Sequence, residues 1–262
     1  FGGRVAISKP LRKWIEASQT SAKLSPTVKS ELGKLTRDVQ RLINASKITR
    51  NEDCTKVLAN GFTSAAAYGA GSASPDGEPL FSNSHIIKST GATTNDNLVT
   101  GALTQTKLQE AIGLLRNMKD GMGRTMKRAS SYQLIVAPAG EADARKILND
   151  GSKFAASVGD TETNNSITEN IFAWDGFRVE LVVLDTLNQP SADGSTIGSD
   201  TMWFVVNREA AKEMEAFKFL SLYNDEMTMY VDDATKVMYF DLDLSFTCDH
   251  YQPEVIVGSL GV

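Results

Sequence analysis

Residues 25–61 read SPTVKSELGKLTRDVQRLINASKITRNEDCTKVLANG, and their reading decides the fold class. Ser25 offers a side-chain oxygen to an orphan N–H at a helix start, and Pro26 suits the first helical position, where no N–H is needed. Val28, Leu32, Leu35, Val39 and Leu42 then recur at spacings of four and three, which is one stripe of a helix. Across 44–53 the stripe loses phase, so a kink or two helices is the alternative. Cys54, Val57 and Leu58 resume an apolar face, and Asn60-Gly61 is a candidate left-handed stop. Wholly helical, the stretch would run about 50 Å at 1.5 Å per residue, roughly three times an ordinary globular helix. A rod of that length needs an equally long partner.

The far end of the chain supplies one. Met238, Phe240, Leu242, Leu244, Phe246 and Cys248 alternate with Tyr239, Asp241, Asp243, Ser245 and Thr247. That is the period of a strand buried on one side, spanning roughly 40 Å. With 227–231 and a turn at 232–235 it predicts a long β pair. Between helix and hairpin the sequence predicts a helix over 104–119, with Leu108, Ala111, Ile112, Leu115 and Met118 inward. A buried strand follows at 132–137, then a short helix opened by Pro138 with Ala142, Ile147 and Leu148 inward. Strands at 177–184 and 202–206 and a helix from Arg208 complete the set. Residues 62–101 lack periodicity and are too long for a passive connection. Within them the apolar pair Leu80-Phe81 is expected to dock. Residues 154–171 and 188–200 read as polar loops. Residues 1–24 carry Arg4, Lys9, Arg12, Lys13 and Lys23 against Glu16 alone. Val5 and Ile7 alternate as in a short strand, which Pro10 limits to an edge. This segment reads as a mobile terminus or as an arm that pairs with a neighbouring subunit. The mixture is α+β.

At 262 residues, 41% hydrophobic and 23% charged, the chain has the composition of a folded protein and can bury a core. A net charge of −5 argues against a surface that coats nucleic acid. No apolar run reaches the length of a membrane span. The chain begins Phe1-Gly2-Gly3, so processing or a fragment is expected. Two cysteines, Cys54 and Cys248, imply no disulfide framework; a reducing compartment and two small buried thiols are expected.

Catalytic patterns are absent from the sequence. The two histidines, His85 and His250, sit in no His-x-x-x-His or Cys-x-x-Cys spacing. Ser84-His85 lacks a Gly-x-Ser-x-Gly elbow. Gly69-Ala70-Gly71 follows no strand and lacks a third glycine, and there is no phosphate loop. Asp232-Asp233 reads as a charged edge turn, and Asp241 with Asp243 as a solvated or subunit-facing pair. No catalytic, cofactor-binding or metal residue is therefore expected, and the chain is read as a non-enzyme.

The order of elements (basic arm, long helix, second helix, strand-helix-strand-strand, long terminal hairpin) resembles tailed-bacteriophage major capsid proteins of the Hong Kong 97-type fold. Val57-Leu58-Ala59-Asn60-Gly61-Phe62, then Asp76-Gly77-Glu78-Pro79-Leu80-Phe81-Ser82 and His85, is similar to the Mu-type major head subunit family. There a helix ends in Leu-Asn-Asn-Gly-Phe and is followed by Asp-Gly-x-x-Leu-Phe-Ser-x-x-His; Ala59 replaces one Asn here. The resemblance implies an E-loop or arm at 1–24 and a P-domain spine helix, long loop and second helix at 25–131. It further implies an A-domain at 132–215 and a P-domain terminal β hairpin at 216–262. It implies no cofactor and a function in building an icosahedral virion shell around double-stranded phage DNA, assembled in the host cytoplasm. The implied partners are copies of the chain in pentamers and hexamers, with portal, scaffold or decoration proteins beside them, DNA held non-specifically, and no membrane. An encapsulin-like nanocompartment shell would share the fold, and a soluble enzyme with an unrecognised site is the third reading. Opposite charge on arm and hairpin marks Arg4, Lys9, Arg12, Lys13 and Trp14, and Asp232 with Asp233, as candidate subunit contacts.

Overall fold

The structure, a computed structural model, describes residues 2–7, 26–63, 74–87, 94–126, 129–149, 152–153, 168–169, 178–191, 194–234 and 237–262. In chain order its elements begin β1 (Gly2–Ile7), α1 (Pro26–Ala59), β2 (His85–Ile86), β3 (Thr94–Asn95), α2 (Gln105–Asn117), β4 (Ser131–Val136) and α3 (Glu141–Asn149). They continue β5 (Ser152–Lys153), β6 (Thr168–Glu169), β7 (Arg178–Val183), β8 (Trp203–Asn207), α4 (Arg208–Glu213), β9 (Phe217–Val231), β10 (Met238–His250) and β11 (Ile256–Ser259). The chain forms two compact units: Phe1–Asp53 with Phe219–Thr247, and Cys54–Lys218 with Cys248–Val262.

The long helix is a single element of 34 residues, unbroken through 44–53. Its polar middle bonds back to the preceding turn instead of breaking it: Ser46 Oγ donates to Ile43 O (2.8 Å) and Thr49 Oγ1 to Ala45 O (3.0 Å). Leu35, Val39 and Leu42 are half-buried. Ser25, the expected cap, lies outside the described residues. The expected left-handed stop is not what ends the helix, since neither Asn60 nor Gly61 has positive φ. The Asn60 N–H reaches Lys56 O and the Gly61 N–H reaches Leu58 O, which tightens the last turn. Gly61 is glycine for room: a Cβ there would lie 2.9 Å from the Phe81 ring.

In the first unit three strands lie in the order β1-β10-β9. The N-terminal strand runs antiparallel to β10 of its own chain, with Arg4 opposite Asp241 and Ile7 opposite Met238. The hairpin closes through Asp232 N–H to Val237 O (2.9 Å). Its first strand starts at Phe217, well before the expected Met227. In β10 Leu242 and Leu244 are buried and Asp243 is exposed, as the alternation predicts, while Met238, Phe240 and Phe246 are only half-covered. Phe219 stacks on Phe246 at 5.6 Å, with the Arg50 guanidinium 5.9 Å from each ring, and Tyr230 stacks on Tyr239 at 5.3 Å.

The second unit is built on a four-stranded sheet, β11-β8-β4-β7, parallel between β4 and β7 and antiparallel elsewhere. All five residues of β8 are buried, as expected of a strand covered on both faces. One face packs Trp203, Val205, Tyr132, Leu134 and Val136 against Leu108, Ala111, Ile112 and Leu115 of α2. The other packs Phe204, Val206 and Ile256 against Leu80, Phe81 and Leu187. Thr104 caps α2, its side chain accepting from Lys107 N. In α3 the buried alanine is Ala144; Ala142, expected inward, is exposed.

The cysteine expectation is corrected. Cys54 and Cys248 form a disulfide across 194 residues, with Cα atoms 5.3 Å apart. That separation suits a bridge, and Cys54 is exposed, not a buried thiol. Two cysteines so far apart in sequence give no spacing signal; only the approach of α1 to β10 pairs them.

Candidate functional site

The segment 74–99 holds the densest buried polar network among the described residues, and it begins with the Asp-Gly turn. Ser74 O accepts from Gly77 N and Ser74 N donates to Glu78 O, both at 2.8 Å. Gly77 has φ +87°, a conformation that side chains resist. The Asp76 carboxylate accepts from Glu78 N (3.2 Å) and from His85 Nδ1 (2.8 Å). The other ring nitrogen of His85 faces the Leu80 carbonyl at 3.1 Å. Both ring nitrogens are thus engaged by oxygen atoms of the turn. Burial alone would raise the Asp76 carboxyl. The hydrogen bond and charge of His85, with the Glu78 and Ile86 N–H groups, outweigh it and hold the carboxyl below its ordinary value.

Asn97, wholly buried, ties this turn to the rest of the unit. Its Oδ1 accepts from Ser82 N (2.8 Å), and its Nδ2 donates to Leu80 O (2.7 Å) and Pro253 O (3.0 Å). Its own backbone exchanges bonds with Ser82 O and Gly258 N. The Leu80-Phe81 pair docks as expected. The Phe81 ring lies 4.5 Å from Phe62 and 5.3 Å from Phe204. It also fills the space left by two glycines: a Cβ on Gly258 would come within 2.6 Å of it, much as one on Gly61 would collide.

The second histidine joins the same region. His250 Nε2 meets Ser74 Oγ at 3.2 Å, its ring is fully buried, and Nδ1 has no hydrogen-bond partner, with Asp249 Oδ1 4.0 Å away. Burial pushes the His250 pKa down; the Asp249 charge opposes this, His85 adds to it and Asp76 opposes it. Periodicity could not have found Asn97, Ser74 or His250. The only signal was the clustering of small polar residues in a long aperiodic segment.

Chemically the arrangement holds backbone together. Ser84 Oγ bonds Ser82 Oγ (2.8 Å), not His85, whose nitrogens are both engaged, so the adjacent Ser-His pair has no base-nucleophile geometry. Among the described residues no group of three or more His, Cys, Asp or Glu is placed to hold a metal ion. No described helix is long and apolar enough to cross a membrane.

Of the candidate contact residues, Arg4 lies on β1 opposite Asp241. Asp232 and Asp233 occupy the hairpin turn, where Asp232 Oδ1 accepts from Ala234 N (3.0 Å). Lys9, Arg12, Lys13 and Trp14 lie outside the described residues.

The family model described as phage capsid protein matches residues 27–243. No curated protein matches the chain in sequence. Among solved structures, the capsid of cyanophage P-SCSP1u is 10% identical with a TM-score of 0.47, covering 99% of this chain and 71% of its own. The capsid of Staphylococcus phage Andhra is 9% identical with a TM-score of 0.44, covering 99% and 69%. The acid-stable capsid of Helicobacter pylori bacteriophage KHP30 is 12% identical with a TM-score of 0.42, covering 99% and 73%. Likenesses of this grade carry no weight beside the family match.

Proposed function

The chain belongs to the phage capsid protein family, and we propose that it is the major head subunit of a tailed phage with a Hong Kong 97-type fold. Copies assemble as pentamers and hexamers into an icosahedral shell around double-stranded DNA, in the host cytoplasm. The observation that carries this reading is the match over 27–243, which spans the long helix, the buried network and most of the hairpin. The network supports a structural role, because Asn97, His85 and Asp76 spend polar groups on the chain's own backbone. In this reading α1 is the spine of the P-domain, which takes 25–131 and the hairpin of 216–262. Residues 132–215 form the A-domain at the centre of each capsomer, and 1–24 belong to the E-loop or arm. The subunit is of the Mu type, on the strength of 57–62 and 76–85. An acidic subunit suits a wall that releases its DNA. Portal, scaffold and decoration proteins are the remaining partners.

The basic arm beyond β1, with Lys9, Arg12, Lys13 and Trp14, reaches the acidic hairpin at Asp232 and Asp233 of a neighbour, while Arg4 on β1 lies opposite Asp241 of its own chain. Negative-stain micrographs of the purified chain test the whole reading: closed shells tens of nanometres wide are expected, and a monodisperse small oligomer at every concentration would overturn it. Changing Arg4, Lys9 and Lys13 to Glu tests the arm. Sedimentation should show folded subunit without shells, and shells of normal yield would remove the arm's charges from assembly.

A further inference from the structure

The two cysteines stand at matching places in the chain. α1 and β10 each run through the division between the two units. Cys54 is the first residue of α1 that belongs to the second unit, and Cys248 is the first of β10. Their bridge fastens the helix to the strand where each enters that unit, and it joins positions 194 residues apart in sequence. The residues beside it are held by other bonds. Thr55 is buried, and its hydroxyl meets that of Thr186. His250 is bonded to Ser74 (3.2 Å), and the Tyr251 N–H donates to Ala216 O (2.8 Å). All of these partners belong to the second unit. Bonds of this kind bring the two sulfurs together whether or not the bridge is made.

The shell reading has subunits assembled in the host cytoplasm, where disulfides are rare, while they persist on released virions. Cys54 is exposed and Cys248 half-buried, so a small thiol or disulfide in solution has access to the pair. Accordingly, we propose that Cys54 and Cys248 form a redox latch: the subunit folds and assembles as the dithiol, and the bridge closes afterwards, when the particle leaves the reducing cell and meets a small disulfide of the glutathione class. The inference rests on the shell reading for its timing. In the first step the exposed Cys54 thiol loses its proton, and its thiolate attacks one sulfur of the small disulfide. A mixed disulfide forms, and one small thiolate leaves and takes up a proton. The Cys248 thiolate then attacks the Cys54 sulfur, which forms the bridge and expels the second small thiolate. In all, two protein thiols lose two electrons and two protons, and one small disulfide is reduced to two thiols. Closure restricts the unfolded chain, and more so the longer the loop it ties off. The latch therefore adds resistance to heat once assembly is over.

Thiol trapping tests it. Cells making the unaltered chain are treated with N-ethylmaleimide before lysis, and the intact chain is weighed by mass spectrometry. Most chains should carry both adducts. Particles isolated without the trap and then given glutathione disulfide should accept no adduct, and their digest should contain a linked 54–248 peptide. These closed particles should melt about 5–15 °C above the same particles kept in reductant. Cys54→Ser and Cys248→Ser should each assemble in normal yield and show no such rise; if a serine disturbs the fold, the reduced unaltered chain is the reference. A bridge already closed in most chains trapped inside the cell overturns the latch, as do particles that form only with oxidant present. It is also overturned if no 54–248 peptide forms on oxidation, if both forms melt together, or if either variant shows the same rise. In each of these cases the shell reading stands. If the unaltered chain forms no particles, the shell reading falls, and the latch is judged on free subunits by the same masses and melts.

Discussion

The two sheets of this protein treat apolar surface in opposite ways. In β11-β8-β4-β7 every residue of β8 and β11 is buried, with one apolar cluster on each face. In β1-β10-β9 only Leu242 and Leu244 of β10's large apolar residues are buried, and Phe219, Leu220, Met229 and Tyr230 of β9 stand exposed. One sheet meets its hydrophobic and hydrogen-bonding needs from its own chain. Among the described residues the other leaves several of its large apolar side chains exposed, as in a subunit whose folding is finished by neighbours; obligate interfaces resemble a core cut in half. Mutations in the first class should report on folding, and those in the second on assembly.

The sharpest break in that contrast is expected at Phe81. Phe81→Ala empties the space between Gly61, Phe62, Phe204 and Gly258, and should cost about 3–5 kcal/mol in urea unfolding. A loss under 1 kcal/mol would mean the ring is not the keystone of its cluster. Asn97→Ala comes next. It strands the Ser82 N–H and the Pro253 carbonyl in a dry site, at about 2–4 kcal/mol. Denaturant midpoints should fall with the slope unchanged. In the first unit, Leu35→Ala removes a half-buried side chain and should cost only about 1–2 kcal/mol. A loss matching that of Phe81→Ala would erase the difference between the units.

The gentlest probe is acid. The His250 pKa is lowered in the folded chain, so the unfolded state takes up the proton first as pH drops below its ordinary value of about 6.5. Stability linked to this ring is present above that pH and is lost below it. The lowered Asp76 carboxyl adds a second loss below about pH 4, again because the unfolded state binds the proton more readily. Melting temperature should therefore decline in both ranges. His250→Gln should flatten the first decline alone, and an unchanged profile in that variant would remove His250 as its cause.

The sequence made the regular parts legible and the irregular parts only as a pattern. Apolar positions at helical spacing located α1 and α2, and the faces of α2 were read correctly because each inward residue is wholly buried. The α1 stripe was harder, since Leu35, Val39 and Leu42 are only half-covered. Residues 217–226 were not recognised as strand, because Phe219, Leu220 and Leu222 do not alternate cleanly when one face is not buried. The short β11 has too few residues to show any period. At the network, Asp76, Leu80, Phe81, Ser82 and His85 stood out through their resemblance to a capsid pattern. Their partners Asn97, Ser74, Gly258 and His250 come from distant segments. Asn97 in particular is an ordinary loop residue until three carbonyls and two N–H groups converge on it. The disulfide was invisible for the same reason.

The closure of Phe81 by Gly258 also has a consequence for timing. The ring is synthesised well before the strand that covers it. At about 5–20 residues per second, a nascent chain carries Phe81 and the Asn97–Leu80 hydrogen bond uncovered for roughly 10–35 s before Gly258 emerges. During that interval the second unit cannot close its sheet, because β8 lacks β11 on one side. A polysome making this protein thus holds many sticky, unfinished sheets close together. Only after Gly258 emerges can the sheet close over Phe81 and leave a subunit whose second unit is finished.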